Sequence, residues 1–455
     1  MDDYYRLVYH LSPRQGWMND PNGLIQFRGS YHAFYQHYPH APEPGPMHWG
    51  HAVSRDMVHW DHLPIALYPG AGGDPACFTG SAVDNGGEFT LIYTAHSKKR
   101  SPMEVQCIAT SADGIHFTDY EHNPVISSQP AGYGEDFRDP KVFRRGKDWY
   151  LVAGCTKDGR GGILLYRSRD LRQWDYRGLF CQSDGSQGTM WECPNFFELE
   201  GVWTLLCSPM NMEKAKCIFI TGRADFEKPA FTQEQWQNAD YGHEFYAPQV
   251  FQDDQGRRIL IGWMDMWNGE FPTRKDGWAG AFTFPRELFL RNGKVHQRPI
   301  EELALLRKKD LFSGSLSLTP GKKNNLSNIT GDCLEIAFNI PAAPAEDTVL
   351  KLLLRASGDG KERTLLQWDL GSRVFILDKE QSGAGRPGKF MVPWEKDGDM
   401  EVQILIDRSS IEVFLFQGRY TVTSRIYPQP SSVFYDIFTE GGGLSIPAMR
   451  IIELG

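Results

Sequence analysis

No apolar run in the chain approaches 18 residues, which excludes a membrane-spanning helix of ordinary length. The opening Met1-Asp2-Asp3-Tyr4-Tyr5 has neither a basic nor an apolar leader pattern, so the expectation is a cytoplasmic protein with no membrane contact. Positive charge is also in deficit. The 48 Lys and Arg are outnumbered by 57 Asp and Glu, and a net charge of −9 argues against a nucleic-acid partner and for a neutral ligand. The eight cysteines form no CxxC pair and no zinc-like spacing, which predicts reduced thiols rather than disulfides. No cluster of His and acids has ligand spacing, so neither a metal nor a cofactor is expected, and His48 and His51 read as strand-flanking residues. Long helical periodicity is missing from residues 1–300.

What the chain does have is aromatics and a repeat. Its 13 Trp, 18 Tyr and 27 Phe suit sheet packing before they suit any ligand. Ser54-Arg55-Asp56, Ser111-Ala112-Asp113 and Ser168-Arg169-Asp170 recur at intervals of 57 residues, and Arg223-Ala224-Asp225-Phe226 is a weaker fourth copy. Each copy reads as a turn in which Ser and Asp side chains bond local backbone, between an alternating apolar strand and a shorter strand. Units of four short strands with a turn signature are propeller blades, and five of them fill the first 300 residues. The architecture predicted is all-β: a five-bladed β-propeller over residues 1–297, a short helical linker over 298–310, and a C-terminal β-sandwich over 311–455. The sandwich rests on strand-like segments at Thr348–Leu354, Val374–Leu377, Val402–Ile406 and Ile411–Phe416, separated by Gly, Pro and Asp turns.

Three carboxylate motifs stand out against this repeat. Asn19-Asp20-Pro21-Asn22-Gly23 and Arg138-Asp139-Pro140 each read, singly, as turns, and Trp191-Glu192-Cys193-Pro194 sets a carboxylate between an indole and a thiol before a proline. Their spacing changes the reading. Asp20 to Asp139 is close to two repeats and Asp139 to Glu192 close to one, with Cys77-Phe78-Thr79-Gly80-Ser81 and Glu244-Phe245-Tyr246-Ala247-Pro248-Gln249 at the two remaining positions. Equal phase in a propeller means equal radius and height, so the three acids should converge at one end of the central channel. Like charges brought together out of water raise one another's pKa. Glycoside hydrolysis has a use for such a group: one carboxylate attacks and a protonated one feeds the leaving oxygen.

These motifs, with Tyr9-His10-Leu11-Ser12-Pro13, Tyr35-Gln36, Trp49-Gly50-His51-Ala52-Val53-Ser54 and Ser410-Ile411-Glu412-Val413-Phe414, resemble glycoside hydrolase family 32, the invertases, fructan hydrolases and sucrose-6-phosphate hydrolases. The resemblance implies a retaining β-fructofuranosidase. It makes Asp20 the nucleophile, Glu192 the general acid and then base, and Asp139 the transition-state stabiliser. Asn19, Gln36, Trp49, Phe78, Thr79, Arg138 and Trp263 become the substrate-binding residues. A retaining outcome requires the Asp20 and Glu192 carboxyls roughly 5–5.5 Å apart, and the acid role requires a raised pKa on Glu192.

Three departures accompany the resemblance. Pro44-Gly45 stands where relatives carry a Trp-Gly pair, Thr79 where Ser is usual, and Glu244 where Asp often precedes Phe-Tyr. The expected partner is a small sugar, sucrose or a fructo-oligosaccharide. Arg100, Arg160 and Lys275 lie in loops and are candidates for holding a sugar phosphate. The sandwich leaves a surface on which a homo-oligomer could form. Rival readings are a fructosyltransferase with the same residues, a non-catalytic fructan-binding propeller, and a pentosan-cleaving propeller.

Overall fold

The computed structural model describes residues 3–342, 345, 347–395 and 398–455. Five sheets are arranged in a ring over the first 300 residues. Their strands are Gly16–Phe27, Ser30–Tyr38, His48–Ser54 and Trp60–Leu67 (blade I); Ala76–Asn85, Glu88–His96, Glu104–Ser111 and Thr118–Asp119 (blade II); Phe137–Arg145, Asp148–Lys157, Arg160–Ser168 and Asp175–Gln182 (blade III). Met190–Leu199, Val202–Met210, Ile218–Asp225 and Ala230–Asn238 make blade IV, and Tyr246–Gln252, Arg258–Trp263, Arg286–Arg291 and Lys294–Pro299 make blade V. The first strand of each blade is innermost, and each packs against the first strands of its neighbours. Closure uses a strap from blade V: Trp278–Ala279 pairs in parallel with Gly16 and Trp17 of blade I.

The repeat is visible as chemistry. Ser54 and Asp56 hold the turn between the third and fourth strands of blade I, with Met57 N–H donating to the Ser54 hydroxyl (2.8 Å) and Val58 and His59 N–H to Asp56 Oδ1 (3.0 and 2.8 Å). Ser111 with Asp113 and Ser168 with Asp170 repeat the arrangement in blades II and III, and Asp225 accepts from Glu227 and Lys228 in blade IV. The residue after each full Ser-x-Asp step is left-handed: Met57 at φ 64°, Gly114 at 80° and Leu171 at 65°. Glycine meets that geometry freely; Met57 and Leu171 accept it because their side chains are buried between blades. His48 and His51 lie within a strand, with His51 stacked on Phe34.

Trp17, Trp49, Trp191 and Trp263 are buried in the propeller. Truncating any one of them to Ala is expected to cost about 3–5 kcal/mol. All eight cysteines are buried and unpaired. Among the described residues no helix is long and apolar enough to cross a membrane.

The C-terminal part is a β-sandwich. One sheet runs Arg307–Leu318, Leu444–Leu454, Cys333–Ile340, Met400–Asp407, Ser410–Leu415, Tyr420–Arg425; the other runs Lys389–Pro393, Val374–Gln381, Arg363–Asp369, Val349–Ala356, Phe434–Glu440. Leu334, Ile336, Leu352, Trp368 and Phe375 are among the side chains that fill the space between them. Within 298–310 the helical element is confined to a 3-10 segment, Glu301–Leu306. Arg298 and Pro299 pair with Glu287 and Arg286 in blade V, and Arg307 onward pairs along Leu444–Leu454, so strand hydrogen bonds take both flanks. A buried ionic seam joins propeller to sandwich. His10 lies between Asp407 and Glu412 (2.8 Å each), while Arg286 meets Glu412 (2.5 Å) and Asp240 (3.1 Å).

Candidate active site

Each inner strand breaks register at the same place. The pairing skips between Met18 and Pro21, Cys77 and Gly80, Arg138 and Lys141, Glu192 and Asn195, and Tyr246 and Gln249. In blades III to V the backbone there turns left-handed, at Asp139 (φ 62°), Cys193 (48°) and Ala247 (48°), each followed by proline. Proline removes a ladder donor and the bulge twists the strand. Asn-Asp-Pro and Arg-Asp-Pro thus serve as strand bulges in the structure, not as chain-reversing turns, and Glu-Cys-Pro and Tyr-Ala-Pro form bulges of the same kind.

The bulges bring the predicted residues together. Asp20 accepts from Asn19 Nδ2 (2.9 Å) at Oδ1, and from the Thr79 hydroxyl (2.7 Å) and Cys193 Sγ (3.4 Å) at Oδ2. Asn19 is itself fixed by Trp17 Nε1 (2.7 Å). Asp139 Oδ2 accepts the Cys193 backbone N–H (2.8 Å), and the Asp139 N–H donates to Thr94 Oγ1 (3.0 Å). Glu192 is gripped from two sides: Arg138 Nη2 reaches Oε1 (3.0 Å), and the Tyr246 hydroxyl donates to Oε2 (2.6 Å). Arg138 is anchored in turn by Asp136 (2.6 Å) and Glu104 (3.3 Å).

Burial sets the electrostatics. It pushes the Asp139 carboxyl up to about 8, Arg138 opposing and the charges of Glu192 and Asp20 adding to it. Asp20 is raised for the same reason, with the Thr79 and Asn19 hydrogen bonds pulling the other way. The Cys193 thiol is buried beside these acids and held well above its usual range, so it serves as a donor and not as a nucleophile.

The remaining predicted residues build the wall at different depths. Phe78 is half-buried, and its ring stacks on His96 (4.3 Å between centroids, 5° between planes). Trp49 and Gln36 are buried and work from behind, donating to the carbonyls of Phe78 (3.0 Å) and Cys77 (2.9 Å). Trp263 sits edge-on to Trp17 (5.8 Å), fully buried, and its indole N–H has no partner among the described residues. Around the unusual Pro44-Gly45 step the chain folds over Tyr38, where a side chain on residue 45 would strike the ring at 2.6 Å. Arg100 is engaged by the carbonyls of Ala95 and Met103, and Lys275 lies over the Tyr5 ring (5.3 Å).

Several functional contacts escaped the sequence reading. Tyr246 falls one repeat after Glu192, and that spacing could have marked it as a site residue. Glu244 of the same segment turns away instead, into an ion pair with Lys379 of the sandwich (2.7 Å). Glu104 and Asp136, which hold Arg138, carry no motif. Neither does Trp267, which stacks on Trp17 (6.0 Å) and is 47% exposed.

Two family models match the chain: "Glycosyl hydrolases family 32 N-terminal domain" over residues 10–299 and "Glycosyl hydrolases family 32 C terminal" over 302–453. A sucrose-6-phosphate hydrolase of Zymomonas mobilis is 40% identical over 95% of this chain and 89% of its own length. A raffinose invertase of Escherichia coli is 38% identical over 96% and 92%. Among solved structures, a GH32 beta-fructofuranosidase of Bombyx mori superposes with a TM-score of 0.87 at 34% identity, covering 99% of this chain and 94% of that one.

Proposed function

The chain belongs to glycosyl hydrolase family 32, and from that premise we propose that it is a retaining β-fructofuranosidase whose nucleophile is Asp20 and whose general acid and base is Glu192. It is a glycoside hydrolase, and the names of its relatives support sucrose-type substrates. The observation that carries the assignment is the convergence of three carboxylates on one channel mouth, with a different set of hydrogen-bond partners for each.

Asp20 receives donors at both oxygens, which fixes the orientation of its lone pairs for attack on C2 of the fructosyl unit. As the C2–O bond to Asp20 forms, the bond to the leaving oxygen breaks and Glu192 gives that oxygen its proton. Water then adds to C2, Glu192 takes its proton, and the ester to Asp20 is released. Tyr246 and Arg138 hold the Glu192 carboxyl in one orientation through both steps. Asp139 is set to hold fructose hydroxyls, with Asn19, Thr79 and Phe78 completing the pocket; Gln36, Trp49 and Trp263 support that wall.

We place the junction between the catalytic propeller (1–297) and the accessory sandwich (311–455) in 298–310, a division supported by the two family models meeting between residues 299 and 302. Eight unpaired thiols support a cytoplasmic setting. The test is free fructose and free glucose released from sucrose, sucrose 6-phosphate, 1-kestose, inulin and levan. Fructose release is expected, and fructose falling short of glucose would reveal transfer to a sugar acceptor. A folded protein that releases none from any of the five contradicts the reading.

A further inference from the structure

The inner strands carry the acids near their N-terminal ends. Their C-terminal halves line a second cavity of about 370 Å³ at the opposite mouth of the channel, with Leu24 and Ile25 from blade I, Ala82 from II, Lys141 to Arg145 from III, Phe196 to Glu198 from IV, and Val250 to Gln252 from V. Four residues along a strand span roughly 13 Å, so Leu24 lies that far down the strand from Asp20. Phe196 and Val250 likewise lie four residues past Glu192 and Tyr246, so the cavity opens away from the acids, with Lys141, two residues past Asp139, at its inner end.

Its lining has the wrong charge for a chain of net −9. Lys141, Arg144, Arg145 and Arg258 face it, against one carboxylate, Glu198. Among the described residues none of these four cations makes an ion pair. Lys141 spends one of its three N–H donors on the Val250 carbonyl across the channel (2.5 Å), and Arg258 spends Nε on the Glu198 carbonyl (3.1 Å). Burial and the neighbouring Arg258 press the Lys141 ammonium down to about 7. Lys141 and Arg258 are half-buried and Arg144 and Arg145 exposed, with Glu198 the one carboxylate against the four; half-buried cations short of counter-charge destabilise a fold, and such groups persist where a ligand uses them. The walls between them are aromatic: Phe143 and Trp203 are half-buried, and Phe196 stacks on Trp203 (4.9 Å, 8°). Cations around a dianion with aromatic surface beside it are the recognition chemistry of a phosphate monoester.

We propose that this distal mouth is a second ligand site, and that it takes a small organic phosphate, the phosphoryl group against Lys141 and Arg258 and the organic body against Phe143 and Trp203. Arg144, over the Trp149 ring (5.3 Å), and Arg145, over the Phe226 ring (4.8 Å), add positive charge at the rim. The site is independent of the reaction at Asp20.

The test measures binding of inorganic phosphate and of adenosine monophosphate by calorimetry and by thermal shift, with fructose saturating the catalytic pocket. Both probes are expected to bind wild type and Asp20→Asn alike, and the monophosphate more tightly than phosphate because only it reaches the aromatic wall. Lys141→Met and Arg258→Gln should each weaken binding by roughly tenfold, the loss of one charge-assisted hydrogen bond. Fructose release by Arg258→Gln should stay unchanged. Without ligand, the Tm of Lys141→Met should hold or rise, whereas a purely structural lysine would lower it. Arg144→Gln/Arg145→Gln changes exposed side chains only, so it keeps the test decisive if an inner variant fails to fold; it too should weaken both probes. Binding that persists undiminished in these variants, or that fructose displaces, overturns the proposal. So does the absence of any binding to wild type.

Discussion

The molecule buries two clusters of acidic side chains, and they behave in opposite ways. At the seam between propeller and sandwich, burial alone would raise Glu412, yet Arg286 and His10 outweigh it and hold the carboxyl below its ordinary value. Asp407 is lowered likewise through His10, and Glu244 is taken down to about 2 by Lys379. At the channel mouth the same residue types stand with one arginine among three acids, and Asp139 rises to about 8. Asp265 marks the border of the contrast: it lies in the seam and touches Arg425 (3.1 Å), yet burial still lifts it to about 7. Matched charges make the seam a joint. Unmatched ones leave the mouth with proton affinity.

The largest expected effect that sharpens this comparison is on turnover. Asp20→Asn should lower fructose release by roughly 10⁴-fold or more while leaving the circular dichroism and Tm near wild type; release at the wild-type rate would remove Asp20 from the nucleophile role. Next comes the seam. Glu412→Gln strands Arg286 and His10 without their shared anion, and removing one partner of a buried pair is expected to cost about 3–5 kcal/mol of stability, read by urea denaturation. A loss under 1 kcal/mol would mean that the seam is not the joint described here.

Asp139→Asn should do the reverse. It removes a charge that the folded state disfavours, so stability near pH 8 should rise by on the order of 1–3 kcal/mol although turnover collapses. A destabilised Asp139→Asn would break the contrast between the two clusters. The last test is the pH dependence of the seam. Burial pulls His10 down, but hydrogen bonds to Asp407 and Glu412 win and bring it to about 9, from an ordinary 6.5. A raised histidine stabilises the fold fully below about pH 6.5, and that contribution drains away as the pH climbs through about 9. A plot of Tm against pH should therefore fall across this window in wild type and flatten in His10→Gln.

The propeller was legible because its turns are written in side chains. A Ser that caps and an Asp that accepts two backbone N–H groups must recur wherever the turn recurs, as at Ser54, Ser111 and Ser168. The three acids were legible through phase, since all the inner strands bulge at one level. The supporting shell was not. Glu104 reaches Arg138 from another blade, and Trp267 covers Trp17 from a loop, contacts that depend on the closure of the ring and leave no local pattern. The basic distal mouth stayed hidden for the same reason, because Lys141, Arg145 and Arg258 come from two blades and meet only across the channel. The helical reading of 298–310 failed at its flanks because sheet pairing there outcompeted a short apolar pattern.

The central claim is that Asp20 forms a bond to C2 and that the fructosyl group leaves with its configuration kept. Methanolysis of sucrose, followed by NMR before any anomer can re-equilibrate, tests it directly. Two displacements predict methyl β-D-fructofuranoside as the first product; methyl α-D-fructofuranoside would mean one displacement, with water or methanol attacking directly and Asp20 acting as a base.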